Sequence, residues 1–181
     1  MTKTDTRSFI PVRIAILTVS DTRTLADDSS GQVLSERVAA AGHLLSARKI
    51  VKDDIRAIRH IIRDWTNRND VEAIITTGGT GLTGHDVTVE AVRPLFDKEI
   101  DGFGTLFHIV SFAKIGTSTI QSRAVAGIMK GKYIFCLPGS PGACRDGWDE
   151  ILKQQLDSSH KPCNFVEIMP RLEEHLKRRK S

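Results

Sequence analysis

The sequence predicts an α/β fold, a single three-layer α/β/α domain around a mostly parallel sheet. Three observations carry this reading. Short apolar runs rich in β-branched residues alternate with helical-period segments at least three times in the first half of the chain. Those runs are apolar on both faces, as strands covered by helices on either side must be. Finally, 181 residues, 40% of them hydrophobic and 27% charged, suit one sizeable core rather than two domains.

In chain order, residues 1–11 are polar, end in Pro11 and read as a flexible leader. Residues 12–20, VRIAILTVS, read as a buried strand. In residues 31–42, Val33, Leu34, Val38 and Ala41 recur at helical spacing, and Gly42 is a suitable stop. Residues 44–51, LLSARKIV, form a second strand. Residues 54–68 place Ile55, Ile58, Ile61, Ile62 and Trp65 on one stripe of a helix whose other face is basic. Residues 71–77, VEAIITT, form a third strand, followed by a glycine-rich loop and a helix around residues 89–96. Further helices are expected over 104–116, 122–129 and 144–156, a fourth strand over 132–138, a turn at PGSPGA, and an extended segment over 160–170. The domain proper is set at 12–160, with 161–181 as a C-terminal extension ending in a basic tail that is helical and peripheral. Right-handed crossovers then bring the loops after residues 20, 51, 77 and 137 to one rim, at the carboxyl ends of the strands.

Charge and cysteine content narrow the function classes. The net charge is +4, but residues 171–181 hold five cations and two acids, so the other 170 residues sum to +1. A basic tail is weak support for a nucleic-acid-binding body. Cys136, Cys144 and Cys163 show no CxxC spacing, which speaks against a disulfide framework or a thiolate zinc site. No apolar run near the start is long enough for a signal segment or a membrane span, so a cytoplasmic location is expected.

The most informative stretch is TTGGTGLTGHDVTVEA, residues 76–91. Four glycines between 78 and 84, after a strand and before a helix, let backbone N–H groups approach an anion without intervening Cβ atoms. Thr88 is placed to cap the helix, with Glu90 in its first turn. Gly79, Gly81 and Gly84 spell GxGxxG, but the loop does not open the fold and no acidic strand tip follows, as a dinucleotide fingerprint requires. A GK[ST] pair is also missing, so phosphate charge needs another partner. Asp86, at the end of the loop, and Asp53, at the start of the second helix on the same rim, suit a hard cation such as Mg²⁺. As isolated residues Asp53 and Asp54 read equally well as helix caps. His85 is placed to touch a phosphate or to stand solvated. No Ser-His-Asp or HExxH pattern is present.

Taken together, TTGGTGLTGHDVTVEA, KIVKDDI, IGTSTIQSRAVAGI, LPGSPGAC and LFDKEIDGFGTLF resemble the molybdenum cofactor biosynthesis family. The MoaB branch is the nearest match, beside the Mog-type molybdopterin adenylyltransferases and the gephyrin G domain. The resemblance spans about residues 12–163. It implies trimers, or hexamers built from two trimers. It also implies ATP and molybdopterin as substrates, with the terminal phosphate of molybdopterin attacking the α-phosphate of Mg-ATP. On the matching motifs, Asp53 and Asp86 hold Mg²⁺, and Thr77, Gly78, Gly79, Thr80 and Gly81 bind phosphate. Ser122 and Arg123 meet the pterin or its phosphate, Pro138, Gly139 and Ser140 line the nucleotide, and Ser20 and Asp21 stand near the site. Two positions depart from the family pattern: Val89 and Lys52 both stand where proline is usual. A molybdopterin carrier without turnover, a nicotinamide-dependent oxidoreductase and a nucleic-acid binder are the competing classes.

Overall fold

The central strands explain the architecture. In β1 (Arg13–Val19), β3 (Ala73–Thr77) and β6 (Lys132–Leu137) nearly every side chain is buried, on both faces. Side chains alternate across a strand, so Ile14 and Ile16 face one layer while Ala15, Leu17 and Val19 face the other. The first layer is α1 (Ser29–Ala40), α4 (Asp101–Ile115) and α5 (Pro141–Gly147), whose Leu34, Val38, Phe103, Phe107 and Cys144 join that core. The second is α2 (Ile55–Asn67) and α3 (Thr88–Val92), contributing Ile58, Ile62, Trp65, Val89 and Val92. The structure, a computed structural model, describes residues 8–177.

The sheet has six strands in the order β2-β1-β3-β6-β5-β4, with β2 (Leu44–Val51), β5 (Val125–Met129) and β4 (Lys98–Glu99) completing it. The first four run parallel; β5 runs antiparallel to β6, and β4 antiparallel to β5. From β1 the chain crosses to β2 on one side and later to β3 on the other. That divergence opens a crevice at their carboxyl ends.

Three expectations are corrected. Residues 122–129 are not helical: the two-residue turn Lys130-Gly131, with φ of 50° and 68°, folds 125–129 back onto β6 as a hairpin. Residues 160–170 are not extended, because the Asn164 side chain caps a helical turn, α7 (Phe165–Ile168), by accepting from Glu167 N at 2.8 Å. Thr88 does not cap α3; its hydroxyl donates to Gly78 O at 2.8 Å, tying the helix back to the glycine loop. Pro94 confines α3 to one turn before a 3-10 turn at Arg93–Leu95. Downstream, α5 starts at Pro141 with Ser140 as its cap and runs through a π turn (Trp148–Leu152) into α6 (Lys153–Gln155).

Both ends of the described chain are held. Ile10 N donates to Ser158 Oγ at 2.8 Å, and Phe9 lies against His43. The tail reaches a last helical turn, α8 (Glu174–Lys177); residues 1–7 of the expected leader and 178–181 of the expected tail lie outside the described residues.

Beneath the crevice a buried carboxylate joins three elements. Asp28 caps α1 by accepting from Gly31 N at 2.9 Å, while its other oxygen accepts from Thr18 Oγ1 of β1 at 2.8 Å and from Arg48 Nη2 of β2 at 2.9 Å. Replacing Asp28 by alanine strands the guanidinium and removes the cap. Asp28→Ala is expected to destabilise the fold by about 3 kcal/mol in denaturant unfolding, and Asp28→Asn by less, because the amide keeps the cap.

Candidate functional site

The crevice holds a cavity of about 280 Å³. Its walls come from the four loops the sequence places on one rim: Thr18 to Ser20 and Arg23 after β1, Asp53 after β2, Thr77 to Gly79 with His85 and Asp86 after β3, and Gly139 after β6.

The β3 exit forms the floor. Gly78 and Gly79 have φ of 100° and 64°, and a Cβ on Gly78 would stand 2.2 Å from Val19 O. A Cβ on Gly79 would stand 2.4 Å from Thr88 Oγ1 and 2.9 Å from Asp53 Oδ1. Only glycine allows the loop to lie against both β1 and the Asp53 carboxylate.

The two acids have different surroundings. Asp54, not Asp53, caps α2 by accepting from Ala57 N at 2.7 Å, which leaves Asp53 free to face the cavity. Burial, then the negative charges of Asp21 and Asp86, hold the Asp53 carboxyl above the ordinary aspartate range. Asp21 Oδ1 accepts from Asp53 N at 3.2 Å, so the β1 loop is latched to the start of α2. Burial acts on Asp86 in the same sense, but it is outweighed. The Thr83 hydroxyl (2.6 Å) and N–H (2.9 Å) both donate to Oδ2, Gly81 N–H adds a third bond and Arg123 a positive charge, so Asp86 stays below the ordinary range. His85 Nδ1 stands 3.8 Å from Asp21 Oδ2 at the mouth.

The remaining expected residues divide into walls and supports. Ser20 and Gly139 line the cavity. Thr77 does too, but its hydroxyl is committed to Pro138 O at 3.0 Å, beside Cys144 Sγ at 3.1 Å. Ser140 Oγ is occupied by Ala143 N at 3.1 Å. Ser122 lies away from the cavity, and its N–H donates to Thr119 O. Arg123 also stands outside the lining. Its guanidinium is paired with Glu90 and donates to Thr80 O at 3.3 Å and Asp86 O at 3.1 Å. The Arg123 N–H makes a further bond to Thr80 O at 3.1 Å. Thr80 is buried, and Gly81 packs on the Asp86 carboxylate.

One charged wall residue was not read from the sequence. Arg23 lines the cavity while its Nη1 donates to Ser30 Oγ at 3.0 Å, and Ser30 Oγ in turn donates to Gly139 O at 2.7 Å. Nothing in the polar run around Arg23 marks it; its partners become neighbours only when β1, α1 and the β6 exit meet. No thiol serves as nucleophile here, since burial pushes Cys144 up to about 11 and Cys136 to about 12.

The donor set fits a cation that arrives with a phosphate. Among the described residues no three His, Cys, Asp or Glu side chains form a group able to hold a metal alone. Two carboxylates beside a glycine loop suit Mg²⁺, which takes its other ligands from water and phosphate oxygens. No helix among the described residues is long and apolar enough to cross a membrane.

Comparison with known proteins agrees with this architecture. Residues 15–158 match the family described as "Probable molybdopterin binding domain". The molybdenum cofactor biosynthesis protein B of Escherichia coli K12 is 50% identical over 157 residues, covering 87% of this chain and 92% of that protein. The protein of the same name from Bacillus cereus is 44% identical over 146 residues, 80% and 86% of the two chains. A crystal structure of a molybdenum cofactor biosynthesis protein B superposes with a TM-score of 0.84 at 40% identity, over 93% of this chain and 99% of that one. The Mog protein of Mycobacterium ulcerans gives 0.72 at 28% identity, over 80% and 97%. Sequence, fold and the rim of the sheet thus place the chain in the molybdenum cofactor biosynthesis protein B (MoaB) family.

Proposed function

We propose that the chain binds molybdopterin and catalyses its Mg-ATP-dependent adenylylation in the crevice between β1 and β3. The observation that supports this most is that Asp53 and Asp86, 33 residues apart in sequence, face one cavity floored by the glycine loop. Mg²⁺, when bound, would draw charge from the nucleotide phosphates. Asp53 and Asp86 hold the cation, which would relieve the burial and the neighbouring negative charges that raise the Asp53 carboxyl. The Gly78 N–H is taken up by Leu137 O at 3.1 Å, which leaves the Gly79 N–H as the loop amide offered to non-bridging oxygens. No protein nucleophile is required, because the substrate's phosphate supplies it. The chain's contribution is alignment and charge neutralisation.

Pyrophosphate release from purified protein, molybdopterin and Mg-ATP tests this reading. Asp53→Asn or Asp86→Asn is expected to lower the rate roughly 10²- to 10³-fold while molybdopterin binding persists. Binding without any pyrophosphate release from the parent protein would make it a carrier.

Asp53 must be ionised to hold a cation, so the acid limb of kcat/KM is expected above the ordinary carboxylate range. Asp21→Asn removes one repelling charge and keeps an acceptor for Asp53 N–H. The limb is expected to move to lower pH, and a pH-rate profile that stays in place refutes the assignment.

The expected trimer or hexamer has support in α4. Leu106, Ile109, Phe112 and Ile115 are exposed on it, followed by Ile120 at 76% exposure. An apolar strip of this kind on a single protomer suits a partner surface. Light scattering is expected to show a trimer or a multiple of it for the parent chain and a smaller species for Ile109→Glu.

A further inference from the structure

Beside the acid cavity lies a second one, of about 380 Å³, between the β1–α1 loop and the end of β2. Ser20 and Arg23 line both, so the two adjoin. The chemistry of their walls differs. The first presents Asp53 and Asp86, whereas the second presents Arg23, Arg48, Lys49 and Lys52 against one acid, Asp21.

These cations are not equivalent. Arg48 is committed to buried Asp28 at 2.9 Å. Arg23 is fixed by Ser30 and stands 3.9 Å from Asp28 Oδ1. Lys49 and Lys52 are exposed and make no ion pair or hydrogen bond among the described residues. Lys52 stands immediately before Asp53. Uncommitted positive charge therefore borders the cation-holding acids on one side only.

We propose that this basic annex, with Lys49, Lys52 and Arg23 as its ligands, binds the pyrophosphate portion of the nucleotide. The proposal rests on the adenylyl-transfer reading. In that reaction an oxygen of the pterin phosphate forms a new bond to the α-phosphorus as the bond to the bridging oxygen breaks. The electron pair leaves on that oxygen, and pyrophosphate departs with an additional negative charge. Cations fixed beside the acids meet that charge where it develops, and Arg23, lining both cavities, spans the boundary. The acid side keeps the metal and the α-phosphate; the annex takes the leaving group.

Calorimetric titration of the full chain with sodium pyrophosphate, and separately with inorganic phosphate, tests this without turnover. A failure of the transferase reading therefore leaves the result interpretable. The parent protein is expected to bind pyrophosphate more tightly than phosphate. The exposed double variant Lys49→Gln/Lys52→Gln is expected to lose about tenfold or more in pyrophosphate affinity. Asp53→Asn is expected to retain it, which separates the annex from the acid cavity. Circular dichroism confirms that each variant is folded. Three results overturn the proposal: no pyrophosphate binding at millimolar concentration, equal affinity in the double variant, or equal affinity for phosphate and pyrophosphate. The last would assign the annex to a phosphate monoester such as that of the second substrate.

Discussion

Every part of the site depends on how closely the chain leaving β3 lies against β1. With a Cβ on Gly78 standing only 2.2 Å from Val19 O, and Gly79 wedged between Thr88 and Asp53, the loop occupies space that no other residue type permits. That contact sets the cavity floor, places Thr88 to bond Gly78 O, and brings the start of α2 over the end of β3. The parallel order β2-β1-β3 then does the rest, because loops that diverge from β1 in opposite directions must leave a gap between them.

Electrostatics divides this gap. Asp86 is satisfied by Thr83 and Gly81, so it is held ionised by short-range hydrogen bonds. Asp53 has like charges nearby and is held up by them and by burial. Such a raised carboxyl costs the fold some stability wherever it is ionised. The buried Asp28, in contrast, has its charge answered by Arg48 and its lone pairs by Thr18 and Gly31, and acts as a fastener under the site.

The sequence made the parallel core legible because burial on both faces leaves a continuous apolar run, as in residues 71–77 and 132–138. The glycine loop and Asp86 were legible for a local reason, since the end of the strand, the glycines and Asp86 lie within a dozen residues. Long-range pairing was not. Arg123 reads as a phosphate fork until Glu90, 33 residues away, is seen to occupy it. Asp53 and Asp54 read alike as caps until the helix start selects Asp54. The Lys130-Gly131 turn and the Asn164 cap are local signals, but the apolar runs beside them, AVAGIM and FVEIM, fit helix and strand periods equally well.

The commitment of Arg123 has a consequence for affinity. By bridging the carbonyls of Thr80 and Asp86 it ties both ends of the glycine-rich segment to the end of the hairpin. The conformational entropy of that segment is thus lost during folding rather than on ligand capture. Any ligand of the crevice would meet a preorganised rim, its affinity set by dehydration and charge matching instead of by the cost of ordering a mobile loop.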